Sequence, residues 1–307
     1  MEKKNRFITS SMGVCLTAML CCVLWGSAFP CIKVGYRLFA ISGDDVAAQI
    51  LFAGYRFALA GVMTVLIGSC LNRRLLIPGK SSWPRILKLA MFQTVIQYLF
   101  FYVGLAHTTG VKASVIVASK VFLSILTASL IFHQEKLDRK SVIGCVIGFC
   151  GVILINVSQG SIGGAVSLNG EGFILFSAAS YGVSSVLIKN YSKYDNPVML
   201  SGWQFFCGGI IMILCGYLVG GRVSVWTFAS FSMLVYLGAV SAVAYSLWGI
   251  LLKYNPISRV AVFGFMNPVA GVILSALILH EGGQAFGLPA LCALALVCAG
   301  IYIVNKE

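Results

Sequence analysis

The chain has 307 residues, 59% of them hydrophobic and only 10% charged, with a formal net charge of +13 and a mean hydropathy of +0.93. A soluble domain carries about 25% charged residues. These figures therefore describe a polytopic membrane protein, with no segment large or polar enough for a separate soluble domain. The basic excess is expected of cytoplasmic loops, which collect Lys and Arg, and not of nucleic-acid binding.

Ten apolar runs follow in order: 11–35, 47–70, 86–107, 112–133, 140–157, 171–191, 197–220, 230–253, 258–280 and 284–304. Each is expected to be a helix, since only helices and closed barrels satisfy the backbone in lipid. The runs are too long for barrel strands. The start, MEKKNR and an apolar run continuing through Trp25, is read as an uncleaved first span. The 11 Cys residues lie almost all in apolar runs without CxxC or Cys/His ligand spacing. They are read as buried hydrophobes, and no metal or other cofactor is expected.

The charges orient the chain. Lys and Arg fall 16 to 3 in alternate connections, with Lys33, Arg56 and Lys120 inside spans. The positive-inside rule then puts both termini in the cytoplasm of a multi-pass protein of the plasma (inner) membrane.

The fourth run holds the most unusual residue. KASVIVASKVFLSILTASLIFHQE, 112–135, has Lys120 well inside it. A Lys at a membrane helix centre costs about 2.5–3.5 kcal/mol on insertion scales, so it should face protein or a water-filled cavity. Helical spacing adds Ser124 and Thr127 to the same face. The ninth run, 258–281, has the same length and the same terminal Glu, with Asn267-Pro268 where the fourth has Val121-Phe122.

The halves repeat. Tyr181-Gly182 echoes Trp25-Gly26, and Glu281 echoes Glu135. Gly202, Phe205, Gly209 and Gly216 stand at one constant offset from Gly54, Phe57, Gly61 and Gly68. Five spans per half is an odd number, so the second half must be inverted. The expected fold is an all-α integral membrane protein of ten transmembrane helices in two inverted five-helix repeats, 11–157 and 171–304. An external linker, 158–170, joins them. In such architectures the site lies near the midplane between the halves.

The chain resembles the EamA branch of the drug/metabolite transporter superfamily. The resemblance rests on LWGSAFPCIK (24–33), YRFALAG (55–61) and NPVAGVILSALILHEG (267–282), and it covers nearly the whole chain. The order His280-Glu281-Gly282 departs slightly from the family's Gly-Glu ending. The first repeat departs further, with Phe122 in place of the proline and Lys120 beside it. The resemblance implies the fold and movement of small metabolites, without naming one. It also implies that an Arg at position 56 is common.

Lys120 is the leading substrate-binding candidate, through an anionic group. Gln97, Tyr98, Tyr102, Ser124, Trp25, Tyr181, Tyr245, Trp248 and Asn267 are the other candidates. The rings and amides among them serve equally well for packing or interhelical hydrogen bonds. Pro30 and Pro268 each remove a backbone donor and are read as gating or structural positions. Arg56, Glu135 and Glu281 are read as structural, each Glu capping the next helix of its hairpin. Lys33 and Lys189 are read as snorkelling anchors.

The expected function is secondary transport, as export, of small polar, anionic or zwitterionic metabolites such as amino acids, by alternating access. The partners are a small-molecule substrate and the lipid bilayer, with oligomeric state left open. A multidrug exporter and a non-transporting scaffold or receptor are the alternatives. An enzyme is not expected, because paired aspartates, HExxH and a nucleophile elbow are all missing.

Overall fold

The structure, a computed structural model, describes residues 7–108, 113, 116–157, 167–279 and 288–306. Lys112, Glu281 and most of the 158–170 linker lie outside them. Every regular element among the described residues is helical.

The helices are α1 (Ser11–Leu38), α2 (Val46–Asn72), α3 (Lys80–Leu105), α4 (Ile116–Ile131), α5 (Arg139–Val157) and α6 (Leu168–Tyr191). They continue as α7 (Pro197–Leu218), α8 (Phe228–Tyr254), α9 (Ile257–Ala261), α10 (Met266–Leu279) and α11 (Leu288–Asn305). Six of them, α1, α2, α3, α6, α7 and α8, are long and apolar enough to cross a membrane. Large apolar side chains such as Leu66, Leu71, Leu130 and Leu214 lie exposed on the outside, as a lipid-facing surface requires.

Local chemistry starts the helices where the apolar runs begin. The Asp45 carboxylate accepts from the Ala48 N–H at 2.8 Å, and the Ser10 hydroxyl from the Gly13 N–H at 3.1 Å. Thr227 and Ser230 form a reciprocal capping box at the head of α8. Pro197 follows the Asn196 cap in the first turn of α7, where its missing donor is no loss. The ninth run differs from expectation, since it is not one helix. A 3-10 turn, Val262–Phe265, separates α9 from α10, and Pro268 falls in the first turn of α10. Pro30, by contrast, lies inside the unbroken α1 and leaves the Gly26 carbonyl without its usual donor.

Helix pairing follows the small residues. The most extensive contact joins α2 to α7, and the next joins α5 to α11. In the first, Gly54 lies against Gly209, and Gly61 against Gly202. The pairing runs in opposite senses along the two helices, so they cross antiparallel. A Cβ on Gly61 would meet the Phe206 nitrogen at 2.4 Å, so only glycine permits this approach. Phe57 and Phe205, which hold the same place in their two helices, stack on each other with centroids 5.3 Å apart. In addition, α1 packs on α8 and α10, while α6 packs on α3 and α4.

Candidate functional site

Around the Phe57–Phe205 stack the helices assemble a cluster of rings and two buried cations. Tyr98 of α3 leans on Phe57 at 4.4 Å, and Tyr245 of α8 meets Phe205 edge-on at 4.8 Å. Their hydroxyls hydrogen-bond to each other at 2.9 Å. Tyr102 stands a turn beyond Tyr98, with ring centroids 6.4 Å apart. Trp25 of α1 is edge-on to both Tyr245 and Trp248, at 5.0 Å in each case.

Lys120 opens into this cluster. Its ammonium lies 5.1 Å from the Tyr181 ring centre and 5.8 Å from that of Trp25. The two aromatics that echo each other in the sequence therefore flank Lys120. Cation–π contact of this kind contributes about 0.5–2 kcal/mol, which offsets only part of the desolvation. The Lys120 stem runs beside Gly264 in the 3-10 turn, its Cε 4.0 Å from where a Cβ would stand. The break between α9 and α10 thus sits opposite the charged residue.

Arg56 of α2 is the second cation, with only 3% of its surface exposed. Its Nε and Nη2 both donate to the Ser241 hydroxyl oxygen, at 3.2 and 2.9 Å. It lies within electrostatic range of the phenols of Tyr36, Tyr98, Tyr102 and Tyr245. Sequence reasoning assigned Arg56 a structural role, yet the fold sets it against the same ring cluster as Lys120. Tyr36 was not singled out by the sequence at all.

Among the described residues neither cation has an anionic partner. The ion pairs among those residues are Arg85–Asp195 and Lys189–Glu135, both at helix ends. From Ser241, which holds Arg56, to Trp248, which packs on Trp25, is seven residues of α8, or roughly 10 Å of rise.

Several polar atoms nearby are buried and without a hydrogen-bond partner: Trp25 Nε1, Gln93 Oε1, Gln97 Oε1 and both amide atoms of Asn267. Asn267 therefore does not satisfy a backbone group freed by Pro268. Ser124 departs from the expected polar binding stripe. It is fully buried, its hydroxyl donates to the Lys120 carbonyl at 2.7 Å, and Gly182 packs against its backbone.

Glu135 also departs from expectation. The cap of its own hairpin is Asp138, which accepts from the Ser141 N–H at 2.9 Å. Glu135 instead accepts from the Ile257 and Ser258 N–H groups and the Ser258 hydroxyl, at the head of α9 in the other half of the chain. A carboxylate disfavoured at the end of its own helix is favoured at the start of another. Lys189 lies 3.6 Å from it and donates to the Asn255 and Leu252 carbonyls, so it is tied into this clasp and does not snorkel. Glu281, expected to match Glu135, lies outside the described residues.

A bundle of apolar helices with a buried, cationic and aromatic centre is the architecture of a multi-pass membrane protein. The profile of the EamA-like transporter family matches residues 12–157 and again 168–306. The chain belongs to that family, and it is a transporter and not an enzyme. It is 24% identical over 288 residues to the uncharacterized transporter YvbV of Bacillus subtilis, covering 93% of this chain and 89% of that one. A WAT1-related chloroplastic protein of Arabidopsis thaliana is 26% identical, covering 92% of this chain and 66% of its own length. An uncharacterized transporter of Archaeoglobus fulgidus is 25% identical over 298 residues, 92% of this chain and 95% of that one. A solved crystal structure superposes over 96% of both chains with a TM-score of 0.74 at 19% identity, a likeness of fold.

Proposed function

We propose that the chain is a secondary transporter that exports small anionic or zwitterionic metabolites, amino acids among them, from the cytoplasm across the plasma (inner) membrane. It would work by alternating access between two inverted five-helix repeats, with both termini cytoplasmic. One observation carries the substrate side of this reading: the Lys120 ammonium is held between Trp25 and Tyr181 with no carboxylate beside it among the described residues. A buried cation left in that state is a receptor for an anionic group.

The helix contacts support the repeat. If the ninth run is counted as one element, the pairing of α1 with α8 and α10 mirrors that of α6 with α3 and α4. The α2–α7 and α5–α11 pairs would each lie across the same two-fold axis, with Phe57 and Phe205 meeting on it. The twofold match of the family profile also favours this arrangement. A site between two such halves opens to either side as they rock.

The test is flux. Purified protein in liposomes should exchange amino acids or small organic anions across the bilayer, and Lys120→Ala should abolish that exchange while retaining a normal thermal transition. Full exchange by Lys120→Ala would remove Lys120 from the mechanism. No exchange of any solute by the wild type would favour the scaffold alternative.

A further inference from the structure

We infer that the site takes an organic dianion: a flat apolar body with an acidic group at each end, one met by Lys120 and the other by Arg56. The inference rests on the transport reading above and narrows its substrate class.

The first argument is charge balance. Two positive groups face one ring cluster, and among the described residues no carboxylate compensates either of them. A monoanion or a zwitterion would leave net positive charge in a desolvated centre, which is unfavourable. A dianion neutralises it.

The second argument comes from the repeat. Gln204 follows Gly202 by the same interval as Arg56 follows Gly54. Gln204 is fully buried and accepts from the Thr94 hydroxyl of α3 at 2.7 Å, as Arg56 bonds the Ser241 hydroxyl of α8. A neutral amide thus fills the equivalent place with an equivalent hydrogen bond. Lys120 corresponds to Met266, a buried neutral residue, when Val121-Phe122 is set against Asn267-Pro268. The scaffold accepts an uncharged residue at each position, so the two charges do not serve folding. Both occur only in the first half, which makes the centre electrostatically lopsided on a near-symmetric frame.

The third argument is the inventory between the cations. The phenols of Tyr36, Tyr98, Tyr102 and Tyr245 lie around Arg56; they are hydrogen-bonded in two pairs, Tyr98 with Tyr245 and Tyr36 with Tyr102, so one hydroxyl of each pair keeps its hydrogen free to donate to an oxyanion. The unpartnered Trp25 N–H is a further donor near Lys120. Unpartnered acceptors are amide oxygens, as on Gln97 and Asn267, and these carry no charge to hold an ammonium. The rings of Trp25, Tyr98 and Tyr245 that link the two cations offer apolar faces on which such a body can stack.

The experiment is a ligand-binding series on the purified full-length protein, using terephthalate, benzoate and phenylalanine as dianionic, monoanionic and zwitterionic probes on one ring. Binding is read by thermal shift across concentration. Terephthalate should bind about tenfold more tightly than benzoate, the worth of one added charged hydrogen bond, with phenylalanine weakest. Arg56→Gln and Lys120→Met, which install the residues of the other half, should each erase that tenfold preference. Equal binding of benzoate or phenylalanine by the wild type overturns the inference, and this arm does not depend on either variant folding. Phenylalanine flux in liposomes with no terephthalate binding overturns the dianion alone. Absence of binding for all three probes overturns the dianion inference, while exchange of other solutes in liposomes would leave the transport reading standing.

Discussion

Phe57 and Phe205 lie face to face, 9° from parallel, at the crossing of α2 and α7. Each residue occupies the same position in its helix relative to the flanking glycines. The contact therefore joins two positions that match in the sequence, and glycines on both sides bring the backbones close enough for it to form.

That closeness gives a stability prediction. An added Cβ on Gly209 would meet the Ala58 nitrogen at 2.3 Å, and one on Gly61 the Phe206 nitrogen at 2.4 Å. Backbone atoms cannot yield as a side chain can. Gly61→Ala and Gly209→Ala should each destabilise by about 1–3 kcal/mol, seen as a lowered Tm in detergent. Gly43→Ala, with nothing within 4 Å, should leave Tm unchanged.

Lys120 predicts a separation of stability from function. Removing a desolvated charge that has no ion-pair partner among the described residues relieves its burial, and the two cation–π contacts return only about 0.5–2 kcal/mol. Lys120→Met should hold Tm or raise it, while anion exchange in liposomes is lost. A fall of Tm together with flux would instead mark Lys120 as structural.

The Glu135 clasp joins the ends of α4 and α6 to the head of α9. Glu135→Gln keeps the shape and removes the charge, and should cost about 1.5–3 kcal/mol. A double-mutant cycle with Lys189→Met should show coupling of roughly 0.5–3 kcal/mol. Additive losses would mean that the two residues act independently.

Asp138 sets an acid limb to stability. The Ser141 hydroxyl hydrogen bond is the main cause holding its carboxyl below the ordinary value of 3.8, aided by backbone N–H groups and Lys140. A depressed folded-state pKa contributes stability above the unfolded value, and that contribution is lost as pH falls through the folded value. Tm should therefore drop as pH is lowered below about 4, and Asp138→Asn should flatten that drop. The side chain is mostly exposed, so the effect should be small.

Much of this molecule was legible in its sequence. The apolar runs located the helices, because lipid leaves the backbone no partner outside its own segment. The ends of α1, α2 and α7 fall within a few residues of the runs that predicted them. Lys120 stood out through the cost of its charge alone. The glycine and phenylalanine echoes marked α2 and α7 as matching segments, but that the two helices cross is a tertiary fact.

The tertiary structure decided the rest. It placed Trp25 and Tyr181 on either side of Lys120, gave Arg56 its Ser241 partner, broke the ninth run at Val262–Phe265 and sent Glu135 to α9. These contacts join residues far apart in the chain, and they depend on how each helix is rotated about its own axis. A soluble helix declares that rotation by its apolar stripe. A helix that is apolar on every side does not, and here only packing fixed which side chains faced the centre.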